Sequence, residues 1–307
     1  MTPKRLQYFL KVLEAGSISR AAETLGIAQP ALSQHMAALE AEIGTALLER
    51  RPRGVVATPA GQRFVEHAQT ILRLIDHAKS SVGSALPAGP VTLVLASAGA
   101  EVLAVPLLRR VSARFLEIDL RLREMFSGDA LELVRDAQVD LALLRLDTPP
   151  TTVATRAVYS EYFYLFGRVP GSPDRFKDIP FAKLAGLPLA LPTPRHGMRA
   201  TLAQAGLDQG VALDIRTEQD SMLLLQSFIE TGYAYSILPW SSVGRLIDDP
   251  EIVARRVVRP TVQRTVSLAW PRLRPLSRAA AEVEGVLMEI VGEALATGTL
   301  KGKAMRT

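Results

Sequence analysis

At 307 residues and 48% apolar composition, the chain has the length for two or three folded domains and excludes extensive disorder. Its lack of cysteine excludes disulfides, thiolate metal sites and cysteine nucleophiles, and fits a reducing cytoplasm. The net charge of +5 is densest in residues 1–90, while no apolar window reaches the roughly 18 residues of a membrane span and Met1–Tyr8 leads into no signal-like apolar run.

In chain order, Leu6, Phe9, Leu10 and Leu13 fall at i, i+3, i+4 and i+7, one face of a helix. Gly16-Ser17 ends it, and Ser17 can cap a second helix from Ile18 to Leu25. Gly26-Ile27 makes a short turn, and Pro30 suits the first turn of a third helix. There Leu32, Met36, Leu39 and Ile43 form the expected buried stripe, with Gln29, Ser33 and Gln34 opposite. Arg53-Gly54 predicts a tight turn between two short apolar runs, and Thr58-Pro59 a capped start to the next helix.

Three helices, a tight turn between the second and third, and then a hairpin make a winged helix-turn-helix. A small helical bundle with a polar outer face would show the same periodicity. Side-chain chemistry favours DNA. A helix fits the major groove, where Gln29 suits a bidentate contact with adenine and Ser33, one turn on, can bond base or phosphate. Arg50, Arg51 and Arg53 put three guanidinium groups near the wing turn, where they can clamp phosphates or enter a minor groove.

From Pro59 onward, Phe64, Ala68, Ile71, Ile75, Ala78 and Val82 recur at spacings of 4, 3, 4, 3 and 4. This heptad seam predicts a coiled coil between two copies, although an amphipathic helix packed on its own domain would share many of its positions. Pro87-Ala88-Gly89-Pro90 reads as a hinge. The expected domains are therefore 1–58 for the winged head, 59–86 for the linker helix, 87–90 for the hinge and 91–307 for a separate α/β domain.

Beyond the hinge, strands at 91–95, 118–125, 139–144, 162–166, 187–191, 235–238 and 266–270 alternate with helices at 105–115, 130–137, 198–205, 222–230 and 278–295. The pattern predicts mostly parallel sheets flanked by helices.

The segments Leu6-Gln7-Tyr8-Phe9, Gly16-Ser17-Ile18-Ser19-Arg20-Ala21-Ala22, Ala28-Gln29-Pro30-Ala31-Leu32-Ser33-Gln34, Leu39-Glu40, Leu47-Leu48-Glu49-Arg50 and Thr58-Pro59-Ala60-Gly61 closely resemble the LysR-type transcriptional regulators. Leu191-Pro192-Thr193-Pro194-Arg195-His196-Gly197 is similar to the nitrogen-assimilation-control branch of that family. The resemblance implies a homodimer or tetramer that binds promoter DNA and activates or represses transcription, with RNA polymerase as a further partner. It places DNA contacts on Gln29, Pro30, Ser33, Gln34, Arg50, Arg51 and Arg53, with Ser17 and Arg20 at the start of the second helix. Many relatives carry Ser where this chain has Ala28, which puts one contact or cap in doubt.

For residues 91–307 the resemblance implies two lobes like those of periplasmic substrate-binding proteins, joined by crossover strands near 161–168 and 264–271. Its effector residues would be Ser97, Ala98, Ser127, Gly128, Arg145, Arg195, His196 and Arg199, with Tyr233 to Tyr235 nearby. Those polar groups, with helix N-termini facing the same cleft, predict a small anionic or polar effector. Surface ion pairs and helix caps are the competing roles for the same side chains. A regulator of this architecture that needs no ligand is the first alternative, and an enzyme the second. Residues 91–307 hold one histidine, His196, and lack Gly-x-Ser-x-Gly, Gly-x-x-x-x-Gly-Lys and His-Glu-x-x-His motifs. No catalytic residue, metal or cofactor is expected.

Overall fold

The computed structural model describes residues 1–52, 54–83, 86–146, 148–194 and 197–305. The chain divides into two compact units, residues 1–85 and 86–307.

In the first unit, α1 (Pro3–Ala15) begins where Thr2 caps the Arg5 amide, and it stops at Gly16, whose φ of +62° suits glycine. Helix α2 (Ile18–Leu25) is capped by Ser17, whose Oγ accepts from the Arg20 amide at 3.5 Å. Helix α3 (Gln29–Ile43) follows after a short turn, and Ala28 at its N-cap makes no side-chain cap bond. Phe9, Val12, Ala21, Leu32, Met36 and Leu39 are buried in one core. Ile43 departs from the expected stripe. It is 37% exposed at the last turn of α3, where the helix has run past the core.

The wing is an antiparallel hairpin of β1 (Leu48–Arg51) and β2 (Gly54–Ala57). Glu40 on α3 fixes its base by accepting from the Leu47 and Leu48 amides at 2.7 and 2.8 Å. The Val55 amide donates to the Gly16 carbonyl at 2.8 Å, an approach that a side chain at Gly54 would block. Helix α4 (Pro59–Gly83) then starts at Thr58, whose Oγ1 accepts from the Gly61 amide at 2.9 Å.

The second unit opens with β3 (Gly89–Ala96), α5 (Ser97–Arg114), β4 (Ile118–Met125), α6 (Ser127–Arg135), β5 (Leu141–Arg145), β6 (Val153–Arg168), β7 (Ile179–Pro180) and β8 (Leu189–Leu191). It continues with α7 (Gly197–Gln209), β9 (Ile215–Glu218), α8 (Met222–Glu230), β10 (Ser236–Pro239), β11 (Ile252–Val258), β12 (Gln263–Pro271), α9 (Arg278–Ala296) and β13 (Gly302–Ala304). Helix α5 begins eight residues before the expected position 105 and passes through Pro106. Burial of Leu103, Leu107 and Val111 along one face outweighs the hydrogen bond that proline removes.

The expectation of mostly parallel sheets needs correction. The parallel pairs are β3–β4, β3–β5, β7–β11 and β8–β9, whereas β12 runs antiparallel to β5 and β6, and β10, β11 and β13 run antiparallel to β6. The cause is β6, whose 16 residues extend roughly 50 Å at the usual strand rise. Its first half belongs to a lobe whose core includes Leu93, Leu103, Leu141 and Leu287. Its second half belongs to a lobe built around Phe163, Phe166, Phe181 and Leu225.

The first lobe also contains a buried ion pair. Asp140, 8% exposed, accepts from the Thr92 amide at 2.7 Å and from the Arg274 guanidinium. Breaking such a pair from one side leaves a charge in low dielectric. Asp140→Ala should therefore lower the stability of the 86–307 unit by about 3–5 kcal/mol in urea unfolding. A loss below about 1 kcal/mol, within the range of an exposed pair, would mean that solvent reaches Arg274.

Candidate functional site

The outer side of α3 presents Gln29, Pro30 and Gln34 to solvent, with Ser33 half-buried beside them. Gln29 Nε2 donates to Ser33 Oγ at 3.1 Å, so two side chains expected at the DNA are already paired across one helical turn. Arg20 on α2 is exposed, as are Arg50 and Arg51 on β1. Ser17 uses its lone pair as the α2 cap and keeps its hydroxyl proton for donation. Arg51 Nε bonds the Glu49 carboxylate at 3.1 Å, which lowers the Glu49 pKa and raises that of Arg51. Arg53 lies outside the described residues.

The six seam positions on α4 divide. The Phe64 ring meets Phe9 edge-on at 5.4 Å, Ala68 is fully buried, and Ile71 packs against the same head core. These three serve the packing of α4 on its own head. Farther along, Ile75 is half-buried and Ala78 exposed, while the Val82 side chain lies outside those described.

In the second unit, a cavity of about 80 Å³ opens between the lobes. Four helices begin at its wall: Ala98 lies in the first turn of α5, Ser127 and Gly128 open α6, Gly197 and Met198 open α7, and Met222 opens α8. Their first-turn amides and dipoles favour an anion. Among the described residues, Arg145 and Arg264 also line the cavity and no acidic residue does. Phe126, Met198, Met222 and Leu238 add apolar surface to the lining.

Arg145, at the end of β5, reaches across to α7, where its guanidinium donates to Thr201 Oγ1 at 3.1 Å. It lies so close to Gly197 that any side chain there would collide with it. The Arg145 amide donates to Ser127 Oγ at 3.1 Å. Arg264 on β12 donates from Nε to Glu161 Oε1 at 2.6 Å, with Nη2 2.5 Å from the same oxygen. Ser241 Oγ donates to Glu161 Oε2 at 3.1 Å. Nearby Tyr159 is fully buried, and burial holds its phenol pKa well above the ordinary value.

Of the expected effector residues, Ala98, Ser127, Gly128 and Arg145 do line the cavity. Ser97 opens α5, but its side chain lies outside those described, as do Arg195 and His196 entirely. Arg199 acts as a strut in this arrangement. Its Nη1 bonds the Pro192 carbonyl at 2.9 Å and Glu218 at 2.8 Å, and it does not reach the cavity wall. Tyr233 is 51% exposed and Tyr235 packs on Gly167, and neither is among the described lining residues. Arg264 and Ser242 are lining residues that sequence reasoning missed. Neither belongs to a local motif, and Arg264 meets its partner across 103 positions.

Two family models match the chain. One described as a bacterial regulatory helix-turn-helix protein of the lysR family matches residues 3–62, and one described as the LysR substrate binding domain matches residues 84–290. The nitrogen assimilation regulatory protein nac of Escherichia coli (strain K12) is 32% identical over 295 residues, covering 95% of each chain. That of Klebsiella aerogenes is 33% identical over 298 residues, again 95% of each. Full-length OxyR from Pseudomonas aeruginosa, as a point variant, gives a TM-score of 0.70 at 24% identity over 95% of this chain and 94% of that one. Full-length CbnR complexed with its target DNA gives 0.65 at 23% identity over 96% and 100%. At such identities the two structures show the shared fold alone. Among the described residues no helix is long and apolar enough to cross a membrane.

The Glu49–Arg51 pair sets a condition on any phosphate contact from the wing, since Arg51 must leave a carboxylate that itself repels phosphate. Glu49→Gln should strengthen binding to duplex DNA about two- to five-fold, the range of an exposed ion pair. Fluorescence anisotropy across a salt series would read this, and unchanged affinity would remove Arg51 from the interface.

Proposed function

The chain belongs to the LysR family of bacterial transcriptional regulators, and from that premise we propose that it reads promoter DNA through α3 and the wing. It is a DNA-binding transcriptional regulator with an effector-binding domain. The observation that carries the residue assignment is the exposed Gln29–Ser33 pair on α3, within the same folded head as Arg50 and Arg51. Gln29, Pro30, Ser33 and Gln34 are assigned to base edges and nearby phosphates, and Ser17, Arg20, Arg50, Arg51 and Arg53 to the backbone. Its target places its action in the cytoplasm. Domain limits of 1–58, 59–86, 87–90 and 91–307 are retained as the working division.

Effector sensing is assigned to the cavity between the lobes, with Ser97, Ala98, Ser127, Gly128 and Arg145 as first contacts and Arg195 and His196 kept as candidates. A ligand-independent regulator is the second reading. It is favoured by the Arg145–Thr201 contact, which joins the two lobes through protein side chains. Catalysis finds no support among the family relatives, which are named as regulators.

The base-contact assignment is tested on a footprinted operator against random duplex. Gln29→Ala or Ser33→Ala should cost about 1–3 kcal/mol on the operator and far less on random DNA. Equal losses on both would demote the residue to a backbone contact.

Promoter recognition by oligomers of the family requires pairing of heads, which we assign to the distal part of α4, at Ile75, Ala78 and Val82. A charge placed in that contact would be buried without a partner, at a cost of several kcal/mol. Ile75→Asp should thus shift sedimentation toward smaller species and abolish binding to two half-sites, with the head fold kept by circular dichroism. A variant that sediments unchanged would move the interface elsewhere.

A further inference from the structure

We infer that the interlobe cavity takes a short monocarboxylate of two or three carbons, read by Arg264 and Ser242; this rests on the effector-binding role proposed above. Three observations meet there. Ser242 is 1% exposed and lines the cavity, and its Oγ has no hydrogen-bond partner among the described residues. A buried hydroxyl in that condition is an unspent donor, which a bound acceptor would satisfy.

Arg264 is the second. Its Nε and Nη2 are committed to Glu161, which leaves Nη1 with no hydrogen-bond partner among the described residues. The guanidinium is therefore locked in place by a carboxylate behind the cavity wall while it presents N–H donors toward the cavity. A carboxylate matches that donor arrangement.

Size and wall chemistry supply the third. A cavity of about 80 Å³ is about half the roughly 150 Å³ that holds a benzene ring, so room exists for about three to five non-hydrogen atoms. Phe126, Met198, Met222 and Leu238 offer an apolar wall to a short alkyl tail and nothing to the fourth oxygen of sulfate. The ligand class is thus of acetate and propionate size, with the carboxylate on Arg264 and Ser242.

The full-length protein would be titrated calorimetrically and by thermal shift with propionate, acetate, succinate, sulfate and benzoate, with operator binding measured in parallel. Propionate should bind and raise the melting temperature, acetate should bind about three- to ten-fold more weakly, and succinate, sulfate and benzoate should give no shift. Ser242→Ala breaks no bond in the ligand-free protein, so it should melt unchanged yet lose about ten-fold in propionate affinity. Arg264→Lys keeps a positive charge for Glu161 and should abolish the propionate shift. Sulfate binding as well as propionate, stabilisation by benzoate alone, full propionate affinity in Ser242→Ala, or no response to any of the five would each overturn the inference. If operator binding persists through such a result, only the ligand class falls. If the protein fails to bind DNA, the regulatory reading falls with it.

Discussion

Glu161 carries a carboxylate to 2% exposure at the place where the two long crossover strands meet, and a charge so placed must be answered locally. It faces Arg264 directly in the β6–β12 ladder, and the ion pair closes across that register. Ser241 supplies a further hydrogen bond. Desolvating two ions costs several kcal/mol each, so the pair holds only because these bonds are made together. Its position gives it wider consequences. The chain passes between lobes along β6 and returns along β12, so the pair staples the passage itself. It also fixes Arg264 at the cavity, among four helix N-termini that already favour negative charge.

The elements of the head were legible because their signals are local. Ser17, Gly26, Pro30 and Thr58-Pro59 act within one turn of the positions they punctuate, and the structure starts and stops its helices there. Ala28 was legible in the same way, as a cap that is absent. The second unit was less so, because its deciding contacts are distant in sequence. The apolar run at 162–166 marks only part of the second half of β6, whose full length follows from pairing with β10, β11, β12 and β13. Arg199 and Arg264 look alike as isolated basic residues. One is consumed by Glu218 and the other faces the cavity, a difference set by partners 19 and 103 positions away.

Helix α4 shows why spacing alone left two readings open. A 4-3 repeat places side chains on one stripe, but the stripe can change neighbours along a helix 25 residues long. Phe64 and Ala68 are within reach of α1 and complete the head core, so burial there stabilises the monomer. Ile75 and Ala78 lie two to three turns farther on, beyond that core. The same periodicity therefore serves intramolecular packing first and leaves its distal part for the pairing of heads proposed above. A strict heptad across both is no contradiction, because each stretch needs an apolar face for its own reason.

A ligand between lobes can act only through a difference in its affinity for their two arrangements. The contact of Arg145 with Thr201 joins β5 of one lobe to α7 of the other, and it belongs to the arrangement seen here. An anion held by Arg264 and Ser242 leaves that contact intact. Its carboxylate also satisfies the Ser242 hydroxyl and meets the dipoles of helices from both lobes. The bound ligand and the Arg145 contact therefore favour the same arrangement. An anion that instead captured Arg145 would draw it from Thr201 and oppose closure. The sign of coupling thus depends on which arginine receives the carboxylate, and typical couplings of about 1–3 kcal/mol, about 5- to 150-fold in affinity, are within reach of one such charged contact.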